Sequence, residues 1–229
     1  PLISASGEIQ MAIDLWLFQQ CQTKEHPPTL RFYTWDPVAI SLGYHQKRFP
    51  EQWQELAAQK RLDLVRRPTG GRAVLHQGDL TYAVILSGLS GKRLAIYEAI
   101  CQFLITGWEN LGVPLLYGNQ GRGYHQVANC FAMATGADLV TSEGEKLIGS
   151  AQLKRGDTIL QHGSIQLEPD SKLFKEVFNQ SPRFPALNVT QEEVITHLKA
   201  AAQSCFQMKL VTQPLTHSEW EAVKELTHL

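Results

Sequence analysis

The chain has 229 residues, 43% of them hydrophobic, which is enough to build one core, so we expect a single domain over residues 1–229. Its 21 lysines and arginines nearly balance 22 aspartates and glutamates, and a net charge of -1 gives no general reason to bind nucleic acid or an acidic membrane surface. Four scattered cysteines without a CxxC pair, no apolar run of bilayer length and no recognisable leader predict a soluble, cytoplasmic protein with reduced thiols.

The first half of the chain alternates helix and strand signals. Apolar residues at helical spacing predict an amphipathic helix over residues 6–20. Residues 30–34 and 38–42 have strand composition and flank the turn-prone Trp35-Asp36-Pro37, so we expect them to form a hairpin. The further predicted elements are a helix over 50–60, strands over 62–66 and 80–86, a glycine-rich loop between these strands, and a long helix over 92–111.

The second half begins with strands and ends with helices. Strands are predicted over residues 137–141, 146–152 and 158–167, and the two glycine-containing turns between them are typical of hairpins. Helices are predicted over 171–178, 190–208 and 218–229. Because strands and helices are largely segregated along the chain, the sequence favours an α+β domain over a doubly wound sheet.

The glycine-rich loop reads Arg66-Arg67-Pro68-Thr69-Gly70-Gly71-Arg72-Ala73-Val74-Leu75-His76. Paired glycines let backbone amides approach a ligand, and the three arginines offer donors to a carboxylate or phosphate. A tight loop with solvated arginines explains the same composition. The segment is neither a Walker loop nor a GxGxxG loop.

Two further segments carry candidate chemical groups. Strand alternation in Lys146-Leu147-Ile148-Gly149-Ser150-Ala151-Gln152 predicts that Lys146, Ile148 and Ser150 share one face. A lone lysine is usually a solvated surface charge, but beside a thioester an ammonium stabilises oxyanion charge or lowers the pKa of a thiol. The third segment, Leu160-Gln161-His162-Gly163, places a histidine beside a glycine in a strand, and no motif predicts a metal site.

Cys130 is the candidate thiol, because it follows a polar loop containing His125 and precedes the strand that leads to Lys146. Free cysteines are more often small buried hydrophobes than nucleophiles, and this alternative stays open on position alone. The other cysteines, Cys21, Cys101 and Cys205, fall on or beside predicted helices, and we interpret them as structural.

The three segments, taken in order, resemble the motifs of the superfamily of lipoate-protein ligases and octanoyltransferases. The resemblance extends from the first helix to about Leu167 and implies an α+β fold with a mixed sheet flanked by helices. Within the superfamily, Asn129-Cys130-Phe131 and Arg72 after the glycine pair are most similar to the cysteine-dependent octanoyl-[acyl carrier protein]:protein N-octanoyltransferases.

This resemblance implies a mechanism without ATP or another cofactor. Cys130 would be the nucleophile, and Lys146 would lower its pKa and bind the acyl carbonyl. The donor would be octanoyl-acyl carrier protein, and the acceptor a lysine of a lipoyl domain of a 2-oxoacid dehydrogenase E2 subunit or of the glycine-cleavage H protein. The implied substrate-binding residues are Arg67, Gly70, Gly71, Arg72, Ala73, His76, Gly149, Ser150, Gln152, His162 and Gly163, with Val74, Leu75 and Ile148 forming part of an apolar slot.

Three alternatives remain at this point. An ATP-dependent lipoate-protein ligase would use Lys146 at an acyl-adenylate and leave Cys130 without a role. An amidotransferase would move acyl groups between lipoyl domains. A binding module without catalysis would hold lipoylated domains, although the presence of all three motifs argues against it. Biotin ranks below the lipoyl substrates because biotin ligases carry a different glycine-rich arginine loop.

Overall fold

The structure is a computed structural model that describes residues 1–118, 138–181 and 183–228. The helices in these ranges are α1 (Gly7–Thr23), α2 (Glu51–Ala58), α3 (Arg93–Glu109), α4 (Ser171–Phe178), α5 (Gln191–Phe206) and α6 (His217–Glu225). The strands are β1 (Ile3–Ala5), β2 (Thr29–Trp35), β3 (Ala39–Leu42), β4 (Asp63–Arg66), β5 (Val74–His76), β6 (Asp79–Leu86), β7 (Leu116–Tyr117), β8 (Asp138–Val140), β9 (Lys146–Arg155) and β10 (Thr158–Gln166). The predicted helices are all present, with ends shifted by a few residues.

The larger sheet has seven strands in the order β1-β2-β6-β10-β9-β8-β7. Its β1–β2 pair is parallel and its other pairs are antiparallel, so the sheet is mixed. Neighbours in sequence pair at β8–β9 and β9–β10, which confirms the two predicted hairpins. With helices on both faces, the architecture confirms the predicted α+β class.

The predicted hairpin between β2 and β3 is wrong. Strand β2 pairs with β1 and β6 in the large sheet, whereas β3 pairs with β4 and β5 in a separate three-stranded sheet. The connection, which contains the cis peptide Asp36-Pro37, therefore leads from one sheet to the other. The reason lies in packing: Tyr33 of β2 enters the core beneath α1, whereas Ile40 of β3 enters a core with α2 and α4.

The two faces of the large sheet are covered by different helices. On one face Tyr82 and Val84 pack with α3 and α5, and on the other Ala83 and Ile85 pack with α1 and α6. These four consecutive residues of β6 show the alternation expected for a strand buried on both sides. The small sheet lies next to the α1 face, and the space between the two sheets contains the candidate site.

Helix α1 borders this space. The Ser6 side chain caps its N-terminus by accepting a hydrogen bond from the backbone N–H of Ile9, and the N–H of Gly7 donates to the Asp63 carboxylate of β4. The helix ends where Lys24 adopts a left-handed conformation with φ of 62°. Two residues depart from the apolar pattern of its inner face: Gln10 and Asp14 are both fully buried.

Candidate active site

The loop between β4 and β5, residues 67–73, is organised by Arg67. This side chain is 5% exposed, and its guanidinium donates to the backbone carbonyls of Ser41 at 2.8 Å, Gly70 at 2.8 Å and Arg72 at 2.7 Å. Its neighbour Arg66 likewise donates to backbone carbonyls. These hydrogen bonds hold the loop in shape, and the binding of an anionic ligand by the arginines stays a prediction.

Glycine is required where this loop meets the end of β3. A Cβ atom on Gly43 would lie 1.9 Å from the carbonyl oxygen of Gly71, and Gly71 itself has φ of 95°. Both positions exclude side chains, one through a backbone contact and the other through its left-handed conformation. The loop consequently lies directly against the β3 terminus.

His76, at the end of β5, supports the wall of the site from behind. Its Nε2 atom lies 2.8 Å from Ser41 Oγ, its Nδ1 atom lies 2.8 Å from Asp79 Oδ2, and its ring stacks on Trp35. Burial lowers the pKa of His76 by more than the Asp79 carboxylate raises it. The ring is therefore held neutral, with Nδ1–H donating to Asp79 and Nε2 accepting from Ser41.

His162, in the middle of β10, connects the loop to helix α1. Its Nε2 atom lies 2.6 Å from Thr69 Oγ1, and its Nδ1 atom lies 2.8 Å from Asp14 Oδ2. Asp14 also accepts from Arg31 Nη1 at 2.7 Å and from the Tyr33 hydroxyl at 2.9 Å. Burial raises the pKa of Asp14, but Arg31 and His162 outweigh it, so the pKa lies below its usual value and the carboxylate is ionised.

A β-bulge at the start of β9 decides where Lys146 points. Asp138 pairs with Gly149, Leu139 with Ile148 and Val140 with Lys146. Leu147 is therefore the extra residue of the bulge and has no partner on β8. Leu147 and Ile148 both enter the core beneath α3. Lys146 therefore turns to the opposite face from Ile148, and the predicted sharing of one face by Lys146, Ile148 and Ser150 is wrong.

On that opposite face Lys146 is buried and paired. Its Nζ atom lies 2.8 Å from Asp138 Oδ1, and the two side chains are 6% and 7% exposed. This placement excludes the solvated surface lysine considered from the sequence. A cation buried at the base of a strand, next to a carboxylate, is held at a defined position.

A pocket of about 550 Å³, including its open mouth, lies between the two sheets. Its floor is β9, where Gly149 and Ala151 carry no side chain or only a methyl group, and Asp138 and His162 flank them on the neighbouring strands. The lining residues are Met11, Tyr33, Trp35, Ser41, Arg67, Gly71, Val74, Thr81, Asp138, Gly149, Ser150, Ala151, His162, Gly163 and Ser164.

The structure separates the sequence candidates into three groups. Those lining the pocket are Arg67, Gly71, Val74, Gly149, Ser150, His162 and Gly163. Those in the surrounding framework are Gly70 and Arg72 in the loop, Ala73 and Leu75 in the core of the small sheet, His76 behind Trp35, Ile148 in the α3 core, and Gln152, which donates to Gln161. Cys130 and His125 lie outside the described residues. The assignment of Leu75 and Ile148 to the apolar slot is wrong, because both side chains fill cores.

Sequence reasoning missed several residues of the site. Met11 of α1, Trp35 of β2 and Asp138 of β8 all line the pocket, although they are far apart in sequence. A signal was available for Asp14, because a carboxylate among apolar residues of a predicted helix must find partners when it is buried. Asp138, at the start of a short predicted strand, offered no such signal.

The opposite side of the β9 floor contains a second polar cluster. Ser150 Oγ lies 2.8 Å from the Tyr82 hydroxyl, and Gln161 donates to that hydroxyl at 3.1 Å and to Cys101 Sγ at 3.3 Å. Burial raises the pKa of Cys101 to about 12, so its thiol stays protonated. This agrees with the interpretation of Cys101 as structural.

Across residues 1–118, 138–181 and 183–228, His, Cys, Asp and Glu side chains form no group of three or more arranged to hold a metal ion. No helix in those same ranges combines the length and apolarity needed to span a membrane.

Comparison with known proteins supports an acyl-transfer site. A family model described as "Lipoyl protein ligase A/B catalytic domain" matches residues 6–217. Octanoyltransferase LipM of Carboxydothermus hydrogenoformans is 42% identical over 177 residues, which cover 75% of this chain and 65% of that protein. Octanoyltransferase LipM of Kyrpidia tusciae is 35% identical over 234 residues, which cover 95% of this chain and 84% of that protein. The chain thus spans just under two thirds of the first relative's length.

A solved structure shares the fold. A lipoate-protein ligase A with bound ATP matches with a TM-score of 0.83 and 20% identity, covering 99% of this chain and 92% of that chain. At this identity the likeness concerns architecture, and it confirms the mixed sheet flanked by helices. The relatives of higher identity support octanoyl transfer in lipoylation over the ligase alternative.

Proposed function

The chain belongs to the family of lipoyl protein ligase A/B catalytic domains, and from that premise we propose that it moves an octanoyl group through a cysteine thioester to a protein lysine. The donor is octanoyl-acyl carrier protein. The acceptor is a lysine of a lipoyl domain of a 2-oxoacid dehydrogenase E2 subunit or of the glycine-cleavage H protein. The reaction takes place in the cytoplasm.

The proposed reaction has two steps, and Cys130 is the nucleophile in the first. Its thiolate attacks the carbonyl carbon of the donor thioester, a new carbon–sulfur bond forms, and the phosphopantetheine thiolate leaves and takes up a proton. In the second step the acceptor amine attacks the acyl-enzyme, an amide bond forms, and the Cys130 thiolate leaves. The amine loses its proton, and no step needs ATP.

The buried pair of Lys146 and Asp138 is the observation that carries this proposal. A lysine that is 6% exposed provides a positive charge within a largely enclosed site, where such a charge stabilises a thiolate or an oxyanion far better than in water. Asp138 lines the pocket floor and holds the ammonium there. We assign Lys146 to lower the pKa of Cys130 and to bind the acyl carbonyl.

The pocket suits a medium-length acyl chain. Met11, Trp35 and Val74 contribute apolar surface to its walls, and Gly149 and Ala151 leave room above the floor. Apolar walls with a few polar groups at one end are typical of sites that bind an aliphatic chain with a reactive head. We place the acyl tail along these walls and its carbonyl towards Asp138 and Lys146.

The first experiment is to incubate the purified protein with octanoyl-acyl carrier protein in the absence of ATP and to follow its intact mass. We expect an octanoyl adduct that hydroxylamine removes, as a thioester requires. Cys130→Ser should abolish this adduct, and Lys146→Ala should slow its formation. Cys205→Ser is the matched control, because Cys205 lies on α5 and packs against the α3 core, away from the pocket lining.

Three outcomes would contradict the proposal. Absence of the adduct on the wild-type protein, together with lipoyl-adenylate formation from free lipoate and ATP, would indicate a ligase. An adduct that persists in Cys130→Ser but is lost in another cysteine variant would remove Cys130 from the mechanism. An octanoylated H protein serving as a donor where the acyl carrier protein does not would indicate an amidotransferase.

A further inference from the structure

Asp14 has no role in the mechanism proposed above, although it is one of the most enclosed charges in the described structure. Its side chain is 0% exposed and accepts hydrogen bonds from Arg31, Tyr33 and His162 at 2.7 to 2.9 Å. Burying a carboxylate costs free energy that only good partners offset. Two of these three partners, Tyr33 and His162, line the pocket.

Asp14 determines the tautomer of His162. An ionised carboxylate only accepts hydrogen bonds, so the Nδ1 atom of His162, 2.8 Å from Asp14 Oδ2, must carry a proton. In the neutral ring Nε2 is then an acceptor, and the Thr69 hydroxyl, 2.6 Å away, is its donor. The reverse tautomer would place a lone pair against the carboxylate.

Through the His162 ring, Asp14 on helix α1 is connected to the glycine-rich loop. Asp14 and His162 are 148 residues apart in sequence, and His162 and Thr69 are 93 apart, so three separate parts of the chain meet in one line of hydrogen bonds. Thr69 is 1% exposed, and its backbone carbonyl also accepts from Tyr44 N–H. One imidazole ring therefore connects helix α1 to the loop wall of the pocket, beside the hydrogen bonds that Arg67 makes within the loop.

We infer that Asp14 is a positioning residue for acyl transfer, which holds His162 in a single tautomer and thereby holds Thr69 and the loop against the pocket. The inference rests on the proposed function only in taking the pocket as the acyl site. Asp14 touches no reacting atom in this scheme, and it acts on the loop through His162.

The test compares Asp14→Asn with the wild-type protein by two independent measurements. Nitrogen-15 NMR of the His162 ring, without substrate, reports the tautomer directly. Asparagine fits the same space but can donate as well as accept, so we expect the single Nδ1–H tautomer to be lost. In octanoyl transfer from the acyl carrier protein to a lipoyl domain, we expect kcat to fall by about tenfold or more, while KM for the donor changes little.

A double-mutant cycle separates positioning from general destabilisation. Thr69→Val removes the hydroxyl at the other end of the line, and Asp14 and Thr69 are joined only through His162 among the bonds described. If Asp14 acts through that ring, the double variant should lose little more activity than the stronger single variant. Val194→Ala, in the α3–α5 core away from the pocket, is the control for loss of stability and should retain kcat.

The possible results distinguish a failure of this inference from a failure of the proposed function. An unchanged tautomer in Asp14→Asn, or independent and multiplicative effects of the two substitutions, would overturn the inference. So would a fall in kcat that Val194→Ala reproduces at the same melting temperature. A wild-type protein that transfers no octanoyl group would contradict the proposed function instead, and the NMR measurement would still decide the tautomer.

Discussion

The indole ring of Trp35 lies parallel to the imidazole ring of His76, with 3.9 Å between the ring centroids and 17° between the planes. The indole N–H donates to Thr81 Oγ1 at 2.8 Å, so the ring cannot rotate without losing this bond. Trp35 lines the pocket, whereas His76 lies behind it. His76, the last residue of the glycine-rich loop segment, thus shapes the pocket through Trp35.

The lowered pKa of His76 predicts a pH-dependent contribution to stability. Below about pH 6.5 the unfolded chain binds a proton at this ring while the folded chain does not, so the free energy of unfolding should fall as the pH falls. His76→Gln lacks this contribution. Urea denaturation at about pH 8 and pH 5 should show a smaller loss for the variant than for the wild type. Equal losses would contradict the neutral, buried ring.

Asp138→Asn should both destabilise the protein and slow acyl-enzyme formation. Removing one partner of a buried ion pair typically costs about 3 to 5 kcal/mol. The same change weakens the contact that holds the Lys146 ammonium against Asp138, which lines the pocket. Chemical denaturation measures the first effect, and the rate of the octanoyl adduct measures the second.

The surface pair of Lys224 and Glu221 provides the control. These side chains are 60% and 54% exposed, and Glu221→Gln should change the free energy of unfolding by less than about 0.5 kcal/mol. If Asp138→Asn lowered the free energy of unfolding no more than Glu221→Gln does, the buried pair would not stabilise the fold as predicted.

Gly163→Ala should destabilise the floor of the pocket. A Cβ atom at this position would lie 2.6 Å from Ser150 Oγ, 2.6 Å from a Tyr82 ring carbon and 2.8 Å from the Gly149 carbonyl oxygen. Overpacking of this kind costs about 1 to 3 kcal/mol. Gly70→Ala is the matched control, because nothing lies within 4 Å of the added atom. Thermal unfolding of the two variants should separate them clearly, and similar melting temperatures would contradict the close packing.

Ala151 should set the acyl chain length that the pocket accepts. Leucine at this position would project an isobutyl group into the pocket, so Ala151→Leu should lower kcat/KM for octanoyl donors by about tenfold relative to butanoyl donors. Ala151→Gly should shift the preference towards longer chains. Competition between acyl carrier proteins bearing different chains measures the preference, and two variants with the same profile would exclude Ala151 from the acyl slot.

Local patterns in the sequence predicted the elements but not all of their partners. The helices and the two late hairpins follow from apolar spacing and glycine turns, which act over a few residues. The separation of β2 from β3 does not, because it depends on which distant strand each of them pairs with. The short strand β5 was likewise hidden inside a loop rich in glycine and arginine.

The site shows the same division. The motifs located β9, β10 and the loop, and hence the floor and one wall of the pocket. They did not indicate that Arg67 would use its donors on backbone carbonyls, since the sequence does not show which groups are already paired. Met11 and Asp138 enter the site only because the tertiary fold brings α1 and β8 to it.

The bulge at Leu147 determines which face of the sheet the preceding residue of β9 occupies. In a strand without a bulge, Lys146 would share a face with Ile148 and Ser150. The bulge turns Lys146 to the opposite face. Deleting Leu147 would remove the bulge and make Lys146 the direct neighbour of Ile148, so simple alternation would keep the ammonium on the pocket side. If all residues were kept and the strand ran without a bulge, Lys146 would instead enter the apolar layer under α3. The face that the lysine of this motif occupies is therefore set by the extra residue Leu147, whose own side chain lies in the core beneath α3.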